Sequence, residues 1–309
     1  MQHVTRLAPS PTGALHLGNA RTFLINWAMA RRNGWRVVMR IEDLDGPRIK
    51  RNADLEALDV LRWLGLDWDG EPLYQSADLR PYEAAMDLLV AQGLAYPSDL
   101  SRSDIEAAAS APHTDSGEVV FPASLRPAER PASFDDSGQN WRFTTPDEEV
   151  VFDDAFAGPQ RRRPSETIGD FVVWTKRAAP AYQLAVVVDD HRQGVTQIVR
   201  GDDLIDSAAR QVLLYRALRL EPVPEYTHVP LVAGEDGRRL AKRHGDTRLS
   251  HYREQGVSAE RIIGLLAGLS GMERRPQSAQ AFAEGFDLAT LPKGDVVFTK
   301  EDDAWLLDR

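Results

Sequence analysis

Two periods of hydrophobic and polar positions alternate along this chain. Val4 to Ala8 is an apolar run of strand length, stopped by Pro9 and Pro11. After Thr12-Gly13, Phe23, Leu24, Trp27 and Ala30 recur at helical spacing, which predicts a helix over about 18–32 closed by Asn33-Gly34. Trp35 to Ile41 reads as a second strand. Amphipathic helices follow over 53–64 and 81–93, the latter with a proline in its first turn. Between about 97 and 164 Pro, Ser, Asp and Ala dominate and apolar runs shorten, so a loop-rich inserted subdomain is expected. Regular pattern resumes with strand-like runs at Phe171–Trp174, Tyr182–Val188 and Thr196–Arg200, then a helix from Asp206 to Leu220. The tail from Leu249 is mostly helical, with Ile262, Ile263, Leu265 and Leu266 as its apolar stripe. Strands alternating with helices predict an α/β fold with a parallel sheet.

Composition narrows the chemistry. A chain of 309 residues suits about two domains of ~150 residues each. It has no cysteine, which removes disulfides, thiolate catalysis, Fe–S clusters and thiolate zinc sites together. No run approaches ~18 apolar residues and no apolar leader follows the start, so neither a membrane span nor a secretory leader is expected, and a cytoplasmic protein is. Net charge is −10, which opposes long-range attraction to a polyanion, although local basic clusters still grip phosphates. Arg48-Ile49-Lys50-Arg51 and Arg161-Arg162-Arg163 are two such clusters, each either an RNA contact or a solvated surface.

Four blocks carry candidate chemistry. The first strand runs into Arg6-Leu7-Ala8-Pro9-Ser10-Pro11-Thr12-Gly13, then Leu15-His16-Leu17-Gly18-Asn19. Strand, glycine-bearing loop and helix start together bind phosphate, because the first helical amides are unpaired and the dipole favours anions. A plain βα turn with a capping histidine also accounts for His16 alone. The second strand ends in Arg40-Ile41-Glu42-Asp43-Leu44-Asp45, placing carboxylates where open α/β sheets bind ligands. They suit a substrate ammonium, a metal as in DxD transferases, or solvent. Downstream, Tyr182-Gln183 through Asp189-Asp190-His191 precedes Arg200-Gly201-Asp202-Asp203, where an arginine at a strand end can fork onto a carboxylate or form a surface ion pair. Finally, Gly237 to Thr247 is a basic, glycine-flanked loop around Lys242, suited to closing over a triphosphate or to plain solvation.

In their order these blocks resemble class I aminoacyl-tRNA synthetases of the glutamate group. His16-Leu17-Gly18-Asn19 is similar to the HIGH signature and Arg239 to Arg243 to the KMSKS signature, with Lys242 retained although Arg239 and Ala241 replace the commoner Lys and Ser. Arg40 to Asp45 resembles the glutamyl strand-end motif, and the likeness runs over roughly residues 4 to 250. Within the group, Leu184 to Thr196 with Arg200 to Ile205 is similar to the short glutamyl-Q tRNA(Asp) branch, which lacks an anticodon-binding half. A chain ending about sixty residues past the basic loop is expected of that branch.

The resemblance implies a Rossmann-like parallel-sheet catalytic domain in two parts, 1–96 and 165–245. An acceptor-type subdomain, 97–164, would be inserted between them, with a short helical C-terminal extension, 246–309. It implies that glutamate binds to Arg6, Leu7, Ala8, Pro9, Ser10, Glu42, Tyr182 and Arg200, with Arg200 on a carboxylate and Glu42 on the α-ammonium. ATP would meet His16, Gly18, Asn19 and Lys242, with His16 and Lys242 as the catalytic pair and Mg²⁺ accompanying the nucleotide. The implied acceptor is the queuosine of tRNA(Asp), and the chain is expected to be a monomer. That branch usually carries a small zinc site in its insert; the aligned positions here are Ser98, Leu100, Phe121 and Leu125, so zinc is not expected and packing is expected to hold the insert instead. A truncated glutamyl-tRNA synthetase, a non-catalytic RNA-binding paralogue and a metal-dependent transferase using Glu42, Asp43 and Asp45 remain as alternatives.

Overall fold

The computed structural model describes residues 2–101, 104–105, 120–136, 138–238, 240 and 246–308. Strand β1 (Val4–Leu7) leads into helix α1 (Leu17–Asn33) and returns as β2 (Arg36–Ile41), parallel to β1 in the register Arg6 opposite Val38. Gly34, in the left-handed region at φ 68°, ends α1 as its sequence predicts. Helix α2 (Ala53–Trp63) then carries the chain to β3 (Leu73–Tyr74), which extends the sheet beyond β2. On the other side of β1 lie β10 (Gln197–Gly201) and β11 (Glu225–Val229), also parallel, with Arg200 opposite His228. Thr196 donates its backbone N–H to the Val4 carbonyl at 2.9 Å, so β10 abuts β1 and the winding direction reverses between them.

Period-two alternation distributes these strands over two cores. Leu7, Val37, Met39, Ile41 and Val199 face α1, α2 and the C-terminal helices α7 (Leu249–Glu254), α8 (Ala259–Gly268) and α9 (Ala279–Gly285). Val4, Val38, Ile198 and Tyr226 face α3 (Arg80–Ala91), α5 (Tyr182–Arg192) and α6 (Ile205–Leu218). By the same parity Arg6, Arg40, Arg200 and His228 belong to the second face, near the C-terminal ends of four neighbouring strands. That end of an open sheet, where the winding reverses, is where a ligand crevice forms.

The segment 182–188 is a correction. Its continuous apolar run, rich in valine, reads as a strand, yet it is the first two turns of α5. A helix wedged between a sheet and two other helices buries nearly all its positions, which hides the helical period. Expected loops between 97 and 164 also contain strands. β4 (Ala95–Ser98), β5 (Asn140–Phe143), β8 (Phe171–Thr175) and β9 (Ala179–Pro180) form an antiparallel sheet in that order. A hairpin of β6 (Val150–Asp154) and β7 (Gly158–Arg162) joins the parallel sheet instead, Asp154 lying opposite Tyr226 of β11.

Candidate active site

Three guanidiniums and two carboxylates meet at the ends of β1, β2 and β10. Asp190, on α5, accepts from Arg40 Nη1 at 2.7 Å and faces Arg6 Nε at 3.4 Å, all three side chains being buried. Glu42 lies 3.4 Å from Arg40 Nη2 and accepts from the Ser10 hydroxyl at 3.4 Å, while its backbone N–H donates to the Pro9 carbonyl. Burial pushes the Glu42 carboxyl above the usual carboxylate range, with Arg40 and Arg6 opposing. Burial likewise lowers Arg6, and the like charges of Arg40 and Arg200 add to this against Asp190. Three positive against two negative groups leave the cluster with an excess of one positive charge. Several of its buried polar atoms have no hydrogen-bond partner among the described residues, namely Arg6 Nε, Arg40 Nε, Asp190 Oδ2 and Arg200 Nη1. Orphaned polar atoms of this kind are costly unless a ligand or solvent meets them. A cavity of about 520 Å³ reaches the cluster at Glu42 and is lined also by Ser10, Gln75, Arg177 and Tyr182. Tyr182 is 40 % exposed at its edge. Leu7 points into the opposite core, so of the Arg6–Ser10 run it offers only its backbone to this side.

Arg200 is held from behind. Its Nε donates to His228 Nε2 at 3.0 Å, Nη2 donates to the Leu204 carbonyl at 3.3 Å, and the guanidinium lies over the Tyr226 ring. His228 Nδ1 lies 2.6 Å from Asp154 Oδ2 at the tip of the β6–β7 hairpin.

A second group of residues gathers at the N-terminus of α1. His16 is the N-cap: its Nδ1 accepts the Gly18 N–H at 3.1 Å, and the Asn19 side chain accepts the His16 N–H at 2.7 Å. A Cβ on Gly18 would lie 3.0 Å from the His16 ring, so glycine is what lets the ring fold over the helix start. The basic loop springs from beside this cap. Leu240 donates to the Val232 carbonyl before it, and after it the Thr247 carbonyl accepts from Leu17 while Leu249 donates to Leu15. Arg239, Ala241, Lys242 and Arg243 lie outside the described residues.

The profile of the family described as tRNA synthetases class I (E and Q), catalytic domain, matches residues 2–301. This chain belongs to that family. It is 46 % identical over 306 residues to a glutamyl-Q tRNA(Asp) synthetase of Symbiobacterium thermophilum, covering 94 % of both chains. With the enzyme of that name from Rhodopirellula baltica it shares 48 % identity over 303 residues, 91 % of this chain and 88 % of the other. The crystal structure of glutamate-tRNA synthetase from Elizabethkingia anophelis superposes at a TM-score of 0.80 with 25 % identity, over 99 % of this chain but 70 % of that one.

In this class I synthetase the acidic turn after β2 does not form a metal cluster. Asp43 accepts the Ser76 N–H at 2.9 Å and its hydroxyl at 2.5 Å, Asp45 pairs with Arg48 and Arg177, and Glu42 faces Arg40. Zinc does not fit the four aligned positions of the insert either. Phe121 packs with Tyr96 and Ile105, Leu100 and Leu125 pack against them, and Ser98 is buried. Three hydrocarbon side chains and one hydroxyl lack the nitrogen or thiolate donors zinc requires. Among the described residues there is no group of three His, Asp or Glu that could hold a metal ion, and no helix is long and apolar enough to cross a membrane. The arginines of the 161–163 cluster are each paired: Arg161 with Glu149, Arg162 with Asp206, Arg163 with Asp147 and Glu166.

Sequence reasoning missed His228 and Asp154, and it quoted Arg40 and Asp190 without assigning them a role. A charged residue next to last in a short apolar strand is one available signal, and Arg40, fifth of the six residues of β2, carries it. His228, a lone histidine in Tyr-Thr-His-Val, carries none.

Proposed function

We propose that this synthetase activates glutamate with ATP and passes the glutamyl group to the queuosine of tRNA(Asp). The observation that carries the reading is the cluster of Arg6, Arg40 and Arg200 against Asp190 and Glu42, an excess of one positive charge for a substrate with two carboxylates and one ammonium. Arg200 Nη1 would take a carboxylate and Glu42, which lines the cavity, the α-ammonium; the unpartnered Nη1 supports the first assignment. An oxygen of the glutamate α-carboxylate attacks the α-phosphorus of ATP, the bond to the β-phosphate oxygen breaks, and pyrophosphate leaves. Charge builds up on the phosphorus centre, so the amides at the start of α1, His16 and Lys242 would contribute by position and electrostatics. Mg²⁺ would arrive on the nucleotide phosphates. A hydroxyl of the cyclopentenediol then attacks the carbonyl carbon, AMP leaves, and the hydroxyl proton passes to solvent. The near end-to-end match to relatives named for this acceptor favours it over tRNA(Glu). The same reading makes the protein a cytoplasmic monomer.

Glutamate-dependent ATP–pyrophosphate exchange without RNA is the test. Exchange in its absence, followed by transfer of labelled glutamate to queuosine-bearing tRNA(Asp), is expected. Exchange only with tRNA(Glu) would replace the reading with a tRNA-charging synthetase. Lys242→Ala should lower the exchange rate at least about tenfold; an unchanged rate removes Lys242 from the mechanism.

A further inference from the structure

We propose that His228 and Asp154 are positioning residues for Arg200: Asp154 fixes the imidazole tautomer, and the imidazole fixes the guanidinium so that Nη1 faces the substrate carboxylate. The inference rests on the reading of Arg200 as a glutamate-binding residue.

The argument starts from donors and acceptors. An arginine Nε–H can only donate, so His228 Nε2, 3.0 Å away, must present a lone pair. The proton therefore sits on Nδ1, and Nδ1 faces Asp154 Oδ2 at 2.6 Å, the one kind of group that accepts it. Burial lowers the His228 pKa and the Arg200 charge adds to that, against the pull of Asp154, which keeps the ring neutral. Asp154 is itself fixed. Its Oδ1 accepts the N–H groups of Phe156 at 3.0 Å and Ala157 at 2.7 Å, and the His228 N–H donates to the carboxylate at 3.0 Å. Burial raises the carboxyl, but the His228 side-chain hydrogen bond first, and then these backbone bonds, hold it below the usual range. With Nε on His228 and Nη2 on the Leu204 carbonyl, one edge of the guanidinium is anchored at both its nitrogens, and Nη1 is the buried atom without a partner among the described residues. Relays of this kind orient a binding group without touching the ligand.

Exchange assays with glutamate and ATP varied separately test it, alongside the thermal shift induced by glutamate, which needs no turnover. Asp154→Asn keeps the shape, but the backbone N–H groups claim its carbonyl oxygen and leave the amide N–H facing Nδ1. The imidazole must then carry its proton on Nε2, donor against donor with Arg200. Asp154→Asn and His228→Leu should each raise KM for glutamate at least about tenfold and leave KM for ATP within about twofold. His228→Gln, whose carbonyl can take the Nε–H, should stay within about threefold of the parent. In an Arg200→Ala background His228→Leu should add nothing. If Arg200→Ala raises KM for glutamate while Asp154→Asn and His228→Gln both match the parent and His228→Leu does too, the relay is overturned and Arg200 stands. If Arg200→Ala itself leaves glutamate binding unchanged, the reading of Arg200 falls and the relay with it. Equal rises in both KM values, with no advantage of Gln over Leu, would reduce His228 to a structural residue and overturn the proposal. Should His228→Leu fail to fold, Asp154→Asn against His228→Gln decides.

Discussion

Asp190→Asn isolates the charge on which the pocket depends. The substitution keeps size and one accepting oxygen but removes the negative charge between Arg40, 2.7 Å away, and Arg6, 3.4 Å away. Three guanidiniums would then face Glu42 alone, and the excess would rise from one positive charge to two. At 2.7 Å an effective dielectric of about 20 gives a Coulomb energy near 6 kcal/mol. Part of it survives in the remaining hydrogen bond, and breaking one partner of a buried pair costs about 3–5 kcal/mol. For a chain of this size that is a fall in melting temperature of about 5–8 °C.

Urea unfolding at pH 7 measures it, with Asp147→Asn as the surface comparison. Asp147 pairs with Arg163 at 2.9 Å but is 80 % exposed, so its loss should leave the urea midpoint nearly unmoved. Raising salt from about 0.1 M to about 1 M shortens the screening length from about 10 Å to about 3 Å. That should erase the surface effect and leave the buried one. A cost below about 1 kcal/mol for Asp190→Asn, or one that disappears in salt, would refute the picture of a buried cation pair held by this carboxylate.

Three further outcomes follow from particular contacts. Gly169 sits at φ 67° with a would-be Cβ only 2.0 Å from the Phe121 carbonyl oxygen, so Gly169→Ala should cost more than about 2 kcal/mol by urea unfolding. Burial beside Asp295 and Asp203 pushes Asp202 up to about 6, above its unfolded value of 3.8. A raised carboxyl loses stability as pH rises between those two values, so Asp202→Asn should melt higher than the parent at pH 7–8, and the gap should close toward pH 4. If Arg161, Arg162 and Arg163 meet RNA, a gel-shift affinity should fall with salt and fall further when they are neutralised, whereas an affinity unmoved by their loss clears the cluster.

What the sequence made legible is what short-range rules control. The α1 boundaries follow from spacing and the Asn33-Gly34 stop, and the strand-end positions of Arg6, Glu42 and Arg200 follow from strand length. Parity then puts Arg6, Arg40 and Arg200 on one face, a conclusion available once β1, β2 and β10 are known to be neighbours. That adjacency is not local: Arg6 and Val199 are joined by a 3.4 Å hydrogen bond across 193 residues. Helix α5 stayed hidden because complete burial removes amphipathic contrast, and β5 because its alternating Trp141 and Phe143 lie in a segment dominated by turn-forming residues. His228 gains meaning only from Asp154, which sits 74 residues away in the inserted hairpin.

Two buried carboxylates organise the insert, and one of them ties it to the pocket. Asp170 organises the antiparallel sheet: it accepts the Tyr96 hydroxyl at 2.6 Å, the Thr145 N–H at 2.8 Å and, bidentately, Nε and Nη2 of Arg126. Directional bonds to one side chain define the geometry there, and the apolar contacts of Phe121, Leu100 and Leu125 exclude water around it. Asp154 does the corresponding work at the other end of the insert, where β6 meets β11 behind Arg200. A displacement of the hairpin by one ångström would stretch the 2.6 Å contact well outside hydrogen-bond range for a pair this short, and His228 would be free to turn. Buried carboxylates thus support the positive cluster, Asp190 directly against Arg40 and Arg6 and Asp154 through His228 behind Arg200.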